Sequence, residues 1–235
     1  MKKMILSAVM LVLAASGYAQ ETGAAGAGER NEWLPTFEAV AVDADLDVKF
    51  VRVPDTEAPK IVYDTKGSYT TKFRAEVKDK TLRISEKPDS RRPERTEATV
   101  YYNALRAVSL SGAAATFEGT LDAAVLDVTV NRKASLTAKL EVKDLKVEQT
   151  GYSTANLSGS VRYLTLYVST GKVAASDLEV MSAEVNAQSK ADVSLWIIDR
   201  FIGKTTTGGK ITYKGAPPIV RSGAKFMGGE INRVE

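Results

Sequence analysis

The side chains in this chain that could do chemistry are acids, lysines and aromatics. Asp177 and Glu179 stand two apart in "ASDLEV", and Asp192 follows Lys190 by two. Acids grouped on one exposed face, or set beside a basic side chain, are what proton transfer in polysaccharide cleavage requires. The competing reading of both pairs is the solvated outer side of an alternating strand. The other candidates are Tyr163, Tyr167 and Trp196. They alternate with Leu164, Leu166, Val168, Leu195 and Ile197, so strand parity points them outward. An outward ring stacks on a sugar or anchors a protein contact. It can also be an ordinary strand-favouring side chain on the outside of a sheet. Glu148 and Glu184 would be neighbours of the tyrosines in the flanking units. Tyr163, Tyr167 and Trp196 are therefore the candidate binding residues. No catalytic residue, metal ligand or cofactor is assigned.

What is missing narrows the chemistry further. The chain has no His and no Cys. The commonest general base, the commonest metal ligand, thiol chemistry and disulfides are all absent. No acidic column persists along the chain, and the Gly-Gly-x-Gly-x-Asp phrase of calcium-binding rolls does not occur. Gly208-Gly209-Lys210 lacks the spacing and following helix of a phosphate loop, and reads as a turn. The net charge is +3, and only +1 once Lys2 and Lys3 are set aside. That balance gives no argument for nucleic acid or an anionic membrane.

The chain opens MKKMILSAVMLVLAASGYAQ. Two lysines, an apolar run over Met4–Ala15 and small residues at Gly17 and Ala19 predict a secretory signal peptide over 1–19. The run is short for a membrane span, which needs about 20 residues. Residues 20–32, Gly- and Ala-rich without period, read as a flexible linker. Secretion across the cytoplasmic membrane follows, to the periplasm, the outer membrane or beyond.

The elements that would position the candidates come from a repeat. A step of nineteen aligns Leu126, Leu145, Leu164 and Ala183, and two residues on Val128, Val147, Leu166 and Val185. Val130, Gln149, Val168 and Ala187 follow, and the line slips by one to Phe201. A second column runs Leu136, Ala155, Ala174, Val193 and, after the same slip, Ile211. Its neighbour runs Ala138, Leu157, Ser176, Leu195 and Tyr213. A third column is Val142, Val161 and Val180. Val108, Leu110 and Phe117 fit upstream with a one-residue slip.

Period two means strands, and a fixed larger period means equivalent units. Turns fall at Gly112, Gly151, Gly171, Gly208-Gly209 and Gly223, with Asn131 taking the left-handed position in its unit. One unit alone buries too little to fold, whereas stacked units bury their edges and interiors against each other. The predicted fold is all-β, a parallel β-helix (solenoid) of about nineteen-residue coils. An immunoglobulin-like sandwich would not give columns at constant spacing. A propeller blade needs about forty residues.

The regular coils are placed at 101–235, with Ile219–Glu235 as a C-terminal cap in which Val220, Phe226 and Ile231 can close the core. Residues 33–100 form an atypical N-terminal region. There, 37–53 reads as two strands with a turn at Asp43-Ala44-Asp45, and Lys78-Asp79-Lys80 as a hairpin turn. These are expected as the first coils, capping the stack. "KPDSRRPERTE" (87–97) is a solvated loop whose arginines are interleaved with acids.

Four phrases resemble a known family, the "putative auto-transporter adhesin, head GIN domain" proteins of Bacteroidetes. They are the opening "FEAVAVDADLDVKFV", "DKTLRIS" (79–85), "LRAVSLSGAAATFEG" (105–119) and the closing "GGKITYKGAPPIVRSGAKFMGGEI" (208–231). The middle units carry Thr-Gly-Tyr or Thr-Gly-Lys where that family shows Ser-Gly-Ala. The resemblance implies a β-helical secreted or cell-envelope protein with an adhesin-like, non-enzymatic role toward a surface glycan or envelope protein. Two other classes stay open: a carbohydrate-active enzyme on the same scaffold, and a structural module that stacks end to end.

Overall fold

The computed structural model describes residues 28–66, 72–87 and 94–234, apart from the side chains of 223–226. The signal peptide expected at 1–19, linker residues 20–27 and residues 88–93 of the Arg-rich loop lie outside the described residues. Among the described residues there are fourteen strands and no helix.

The first eight strands are β1 (Arg30–Trp33), β2 (Ala39–Asp43), β3 (Leu46–Arg52), β4 (Lys60–Asp64), β5 (Phe73–Lys78), β6 (Thr81–Glu86), β7 (Thr96–Tyr102) and β8 (Ala107–Ser111). The next three, β9 (Ala114–Asn131), β10 (Ser135–Gln188) and β11 (Asp192–Thr206), are long. The last are β12 (Lys210–Lys214), β13 (Ile219–Phe226) and β14 (Glu230–Arg233). All belong to one sheet. Inward apolar and outward polar residues alternate along most of them, the pattern of a strand buried on one face.

From β8 onward every pairing is parallel, with steps near nineteen. Val108 pairs Val128, Leu126 faces Leu145 across β9 and β10, and Val173 faces Val193 across β10 and β11. Val193 then faces Ile211, and Ile211 faces Ile231. β10 cannot run straight, because its 54 residues would reach about 180 Å at about 3.3 Å each. Its own contacts show it returning. An ideal Cβ on Gly159 would fall 2.1 Å from the Leu140 carbonyl oxygen, and one on Gly171 2.5 Å from that of Ser153. Gln149 Nε2 donates to the Lys172 carbonyl at 3.0 Å, and the Thr170 hydroxyl to that of Ser189 at 3.1 Å.

The turns recur in one column. Left-handed φ angles occur in pairs at Arg132-Lys133, Gly151-Tyr152, Thr170-Gly171, Ser189-Lys190, Thr207-Gly208 and Met227-Gly228. Two consecutive positive φ angles make the tight primed turn that matches strand twist. Asn131 is not left-handed, contrary to the sequence expectation. The two residues after it are, and the Ala134 amide donates back to the Asn131 carbonyl at 3.0 Å. The inward set is as expected at Leu126, Leu145, Leu164 and Ala183 and at the columns beside them. It differs at Ala174 and Ser176. Val173 and Ala175 are the buried pair, because the row from Leu157 to Ala175 is one residue short and the next is one residue long.

The N-terminal third has the two strands expected in 37–53 and the hairpin turn expected at Lys78-Asp79-Lys80. Asp79 and Lys80 have φ of 51° and 56°, and β5 and β6 run antiparallel. Its order in space differs from its order in sequence. β2 and β3 lie between β6 and β7 on one side and β8 and β9 on the other, all parallel. The first strands in sequence are thus not the outermost. Antiparallel β5 covers β6, and antiparallel β4 and β1 cover β7. Residues 30–32, read in the linker, already pair with β4 as part of β1. Inside this third, Phe50 stacks on Phe117 at 4.6 Å between ring centres, with Tyr102 edge-on to both. The opposite end stays parallel. Val220 is in register with buried Phe201 yet 46 % exposed, because no further strand covers it.

Candidate functional site

Outward side chains from successive rows form a groove of about 590 Å³. Its floor is Ala123, Val142 and Val161, the last two in the third inward column. One wall begins with Asp122, whose register partner is Glu141. The same step reaches Ser160 and Glu179, which line the groove as well. Glu179 is then the register partner of Trp196, and Trp196 of Lys214. The other wall is Ala124, Lys143, Arg162 and Met181. The rows pack closely here, since Gly159 lies against the Leu140 backbone with φ of 102°. Any side chain at that position would push two rows apart.

The electrostatics of the groove are incomplete in a useful way. Glu141, Glu179 and Lys143 make no ion pair among the described residues. Asp122 meets Arg52 at 3.6 Å. Arg162 lies over the Tyr163 ring at 5.5 Å, and Lys214 over the Trp196 ring at 4.7 Å. Acceptors and donors thus line the same trough, with an aromatic platform in line beyond Glu179. Such a wall can hydrogen-bond to hydroxyl groups and stack against a flat apolar face.

The three aromatics chosen from the sequence do not come together. Trp196 is half-buried and continues the acidic wall. Tyr163, 46 % exposed, borders the groove through Arg162. Tyr167 is half-buried elsewhere and its hydroxyl accepts from the Gln188 amide. On the nineteen-residue step Asp122 and Glu141 are neighbours, Ser160 breaks the acidic run, and Glu179 follows. The signal was in the sequence: the nineteen-residue step works for polar positions as well as apolar ones. Of the acid pairs, Glu179 lines the groove, while Asp177 is 87 % exposed and 4.0 Å from Lys214. Lys190 sits at a left-handed turn position, away from the groove wall. Among the described residues no cluster of three or more acids is arranged to hold a metal.

A second hollow, about 670 Å³, lies beside β3, β4 and β7 and differs in character. Most of its charges are already matched. Lys66 meets Glu97 at 2.9 Å and Asp64 at 3.3 Å, and Lys49 pairs with Glu118. Glu97 and Glu118 hold these lysines above the ordinary amine value. Burial, helped by a 2.6 Å hydrogen bond to Glu32, pushes the Tyr63 phenol up to about 12. Groups so engaged hold β1, β4 and β7 together.

Among curated proteins none matches the sequence. Several solved structures do. A "putative adhesin" from Bacteroides fragilis has a TM-score of 0.80 at 19 % identity, over 89 % of this chain and 97 % of that one. One from Parabacteroides merdae has a TM-score of 0.70 at 16 % identity, over 88 % and 96 %. A "putative lipid binding protein" from Parabacteroides distasonis has 0.65 at 17 %, over 88 % and 96 %. At these identities the likeness is one of fold. Residues 36–217 also match the family model described as "Putative auto-transporter adhesin, head GIN domain". The match runs from the strand before the Asp43 turn to the prolines after β12, and the chain belongs to that family.

Proposed function

We propose that this chain is a secreted adhesin-like binding module, built as a parallel β-helix, whose groove takes a hydroxyl-rich glycan of a cell surface. In this reading residues 1–19 direct export, 20–32 tether, 33–100 form the atypical first region, and 101–235 form regular coils. The family and its adhesin-named structural relatives support an extracellular or envelope location. The parallel steps near nineteen and the column of paired left-handed turns support the β-helix.

One observation carries the functional reading: unpaired Glu141, Glu179 and Lys143 share a trough that leads to Trp196. Carboxylates accept from sugar hydroxyls, Lys143 and Arg162 donate to them, and the indole face stacks on a pyranose ring. Mixed charge of both signs suits a neutral polyhydroxylated chain better than a strongly anionic or cationic one. Tyr163 would extend the contact at the rim. Non-enzymatic binding suffices for every group named.

A second reading has one observation in its favour. Asp122 and Glu141 are direct register neighbours, and two adjacent carboxylates are the core of a glycosidase site. An array of neutral and acidic oligosaccharides, probed with residues 20–235 and with Glu141→Gln, separates the two. The binding reading expects intact captured oligosaccharide and weaker capture by the variant. Release of shortened products by the parent, abolished in Glu141→Gln, overturns it in favour of the enzyme. Capture of no oligosaccharide overturns the glycan reading outright.

A further inference from the structure

The C-terminal end of the sheet combines exposed apolar side chains with unbalanced positive charge. Residues 204–234 contain six Lys and Arg against one acid, Glu230, a balance of +5 in a chain whose total is +3. Everything else therefore sums to −2. Lys204, Lys210, Arg221 and Arg233 are exposed and make no ion pair among the described residues. β13 bonds only to β11 and β14 only to β12, so their outer edges are open. Ile219, Val220, Met227 and Val234 are 45 %, 46 %, 68 % and 47 % exposed.

We propose that this end docks onto an anionic lipid surface. Apolar side chains reach the boundary between headgroups and acyl chains, and surrounding cations meet anionic headgroups. Charge selects this occupant over a second copy joined at the same end, which would oppose two surfaces of like positive charge. The open strand edges are no obstacle, because the headgroup layer is wet and can hydrogen-bond to them. The inference is independent of the groove, which lies on the side of the sheet and carries both signs.

The test is co-sedimentation of residues 20–235, which retain every described strand and lack the apolar segment 1–19, with vesicles. Phosphatidylcholine vesicles are compared with vesicles in which a third of the lipid is phosphatidylglycerol, at low and high salt. Binding to the anionic vesicles alone, weakened by salt, is expected. Each cation near such a surface counts roughly fivefold, so Lys204→Glu/Arg221→Glu/Arg233→Glu should weaken binding at least about a hundredfold. Val220→Ser/Met227→Ser should weaken it less, and the groove variant Lys143→Glu/Arg162→Glu should leave it near the parent value. Far-ultraviolet circular dichroism and melting confirm that each variant is folded. Any of four results overturns the proposal. These are no binding, equal binding to both vesicles, binding untouched by the triple variant, or concentration-dependent association of the chain that Val220→Ser abolishes.

Discussion

The two ends of the sheet are finished in different ways. At the N-terminal end the parallel rows stop at β6 and β7, which are covered by antiparallel β5 and β4. Beneath them sit Phe50, Phe117, Tyr102, Tyr63 and Phe73, packed ring against ring. At the other end the parallel pattern simply ends, and Val220 occupies an inward column with nothing over it. The difference shows what a parallel stack needs to terminate. A row identical to the last always leaves another edge to pair, so only a change of strand direction or of composition closes it. The N-terminal third changes both. The C-terminal end changes only its charge.

Two pairs of substitutions and a pH series break or sharpen that contrast. The largest effect is expected between the ends, in the rows that support both. Leu166→Asp puts an unpaired charge at a fully buried position and should abolish cooperative melting. Thr165→Asp, exposed and one residue away, should cost under about 1 kcal/mol. Equal shifts in Tm for the two would contradict the register. Next comes Phe50→Ala under the closed end. It removes a ring stacked on Phe117 and should cost about 3–5 kcal/mol by denaturant titration. Val220→Ala occupies the equivalent inward direction at the open end and should cost less than about 1 kcal/mol, since nearly half of that side chain is already in water. A cost for Val220→Ala near that of Phe50→Ala would mean the C-terminal end is covered in solution.

A pH dependence is expected that is confined to the closed end. Burial raises the Tyr63 and Tyr102 phenols from 10.0 to about 12. Their neutral forms are favoured in the fold, so their contribution is intact below pH 10 and is lost as pH rises toward 12. Tm measured across that window should fall, and Tyr63→Phe/Tyr102→Phe should flatten the fall. Tyr63→Phe alone, near neutral pH, should cost roughly 0.5–1.5 kcal/mol through the lost bond to Glu32. An unchanged slope in the double variant would assign the alkaline loss to other groups.

The inward columns were legible because burial on one face imprints a period of two, and equivalent rows imprint a period near nineteen. Leu126, Leu145 and Leu164 are all buried where that arithmetic puts them. The turns were half legible. Gly151 and Gly171 announce a left-handed backbone, whereas Arg132-Lys133 and Ser189-Lys190 do not. Those residues are held there by the rows on either side, at a strain of about 1–2 kcal/mol each that no local preference predicts. The placement of β3 between β7 and β9 was not legible at all, since it depends on pairings some fifty to seventy residues apart. The groove lay in between. Its acidic wall follows from the nineteen-residue step, but the meeting of Glu179 with Trp196 depends on a register shift between Ala175 and Glu179. A column drawn at constant spacing passes over it.

The most direct test of the account is the affinity of residues 20–235, by isothermal calorimetry, for the oligosaccharide that the array selects. The parent is compared with Trp196→Ala, Glu179→Gln and Tyr167→Ala. If the trough leading to Trp196 is the binding site, Trp196→Ala should lose about 1–3 kcal/mol of affinity, comparable to other aromatic stacking platforms. Glu179→Gln should lose about 1 kcal/mol through a weakened hydrogen bond. Tyr167→Ala, away from the groove, should bind as the parent does. Loss of binding in Tyr167→Ala with full affinity in Trp196→Ala would contradict the account and move the site to another side of the sheet.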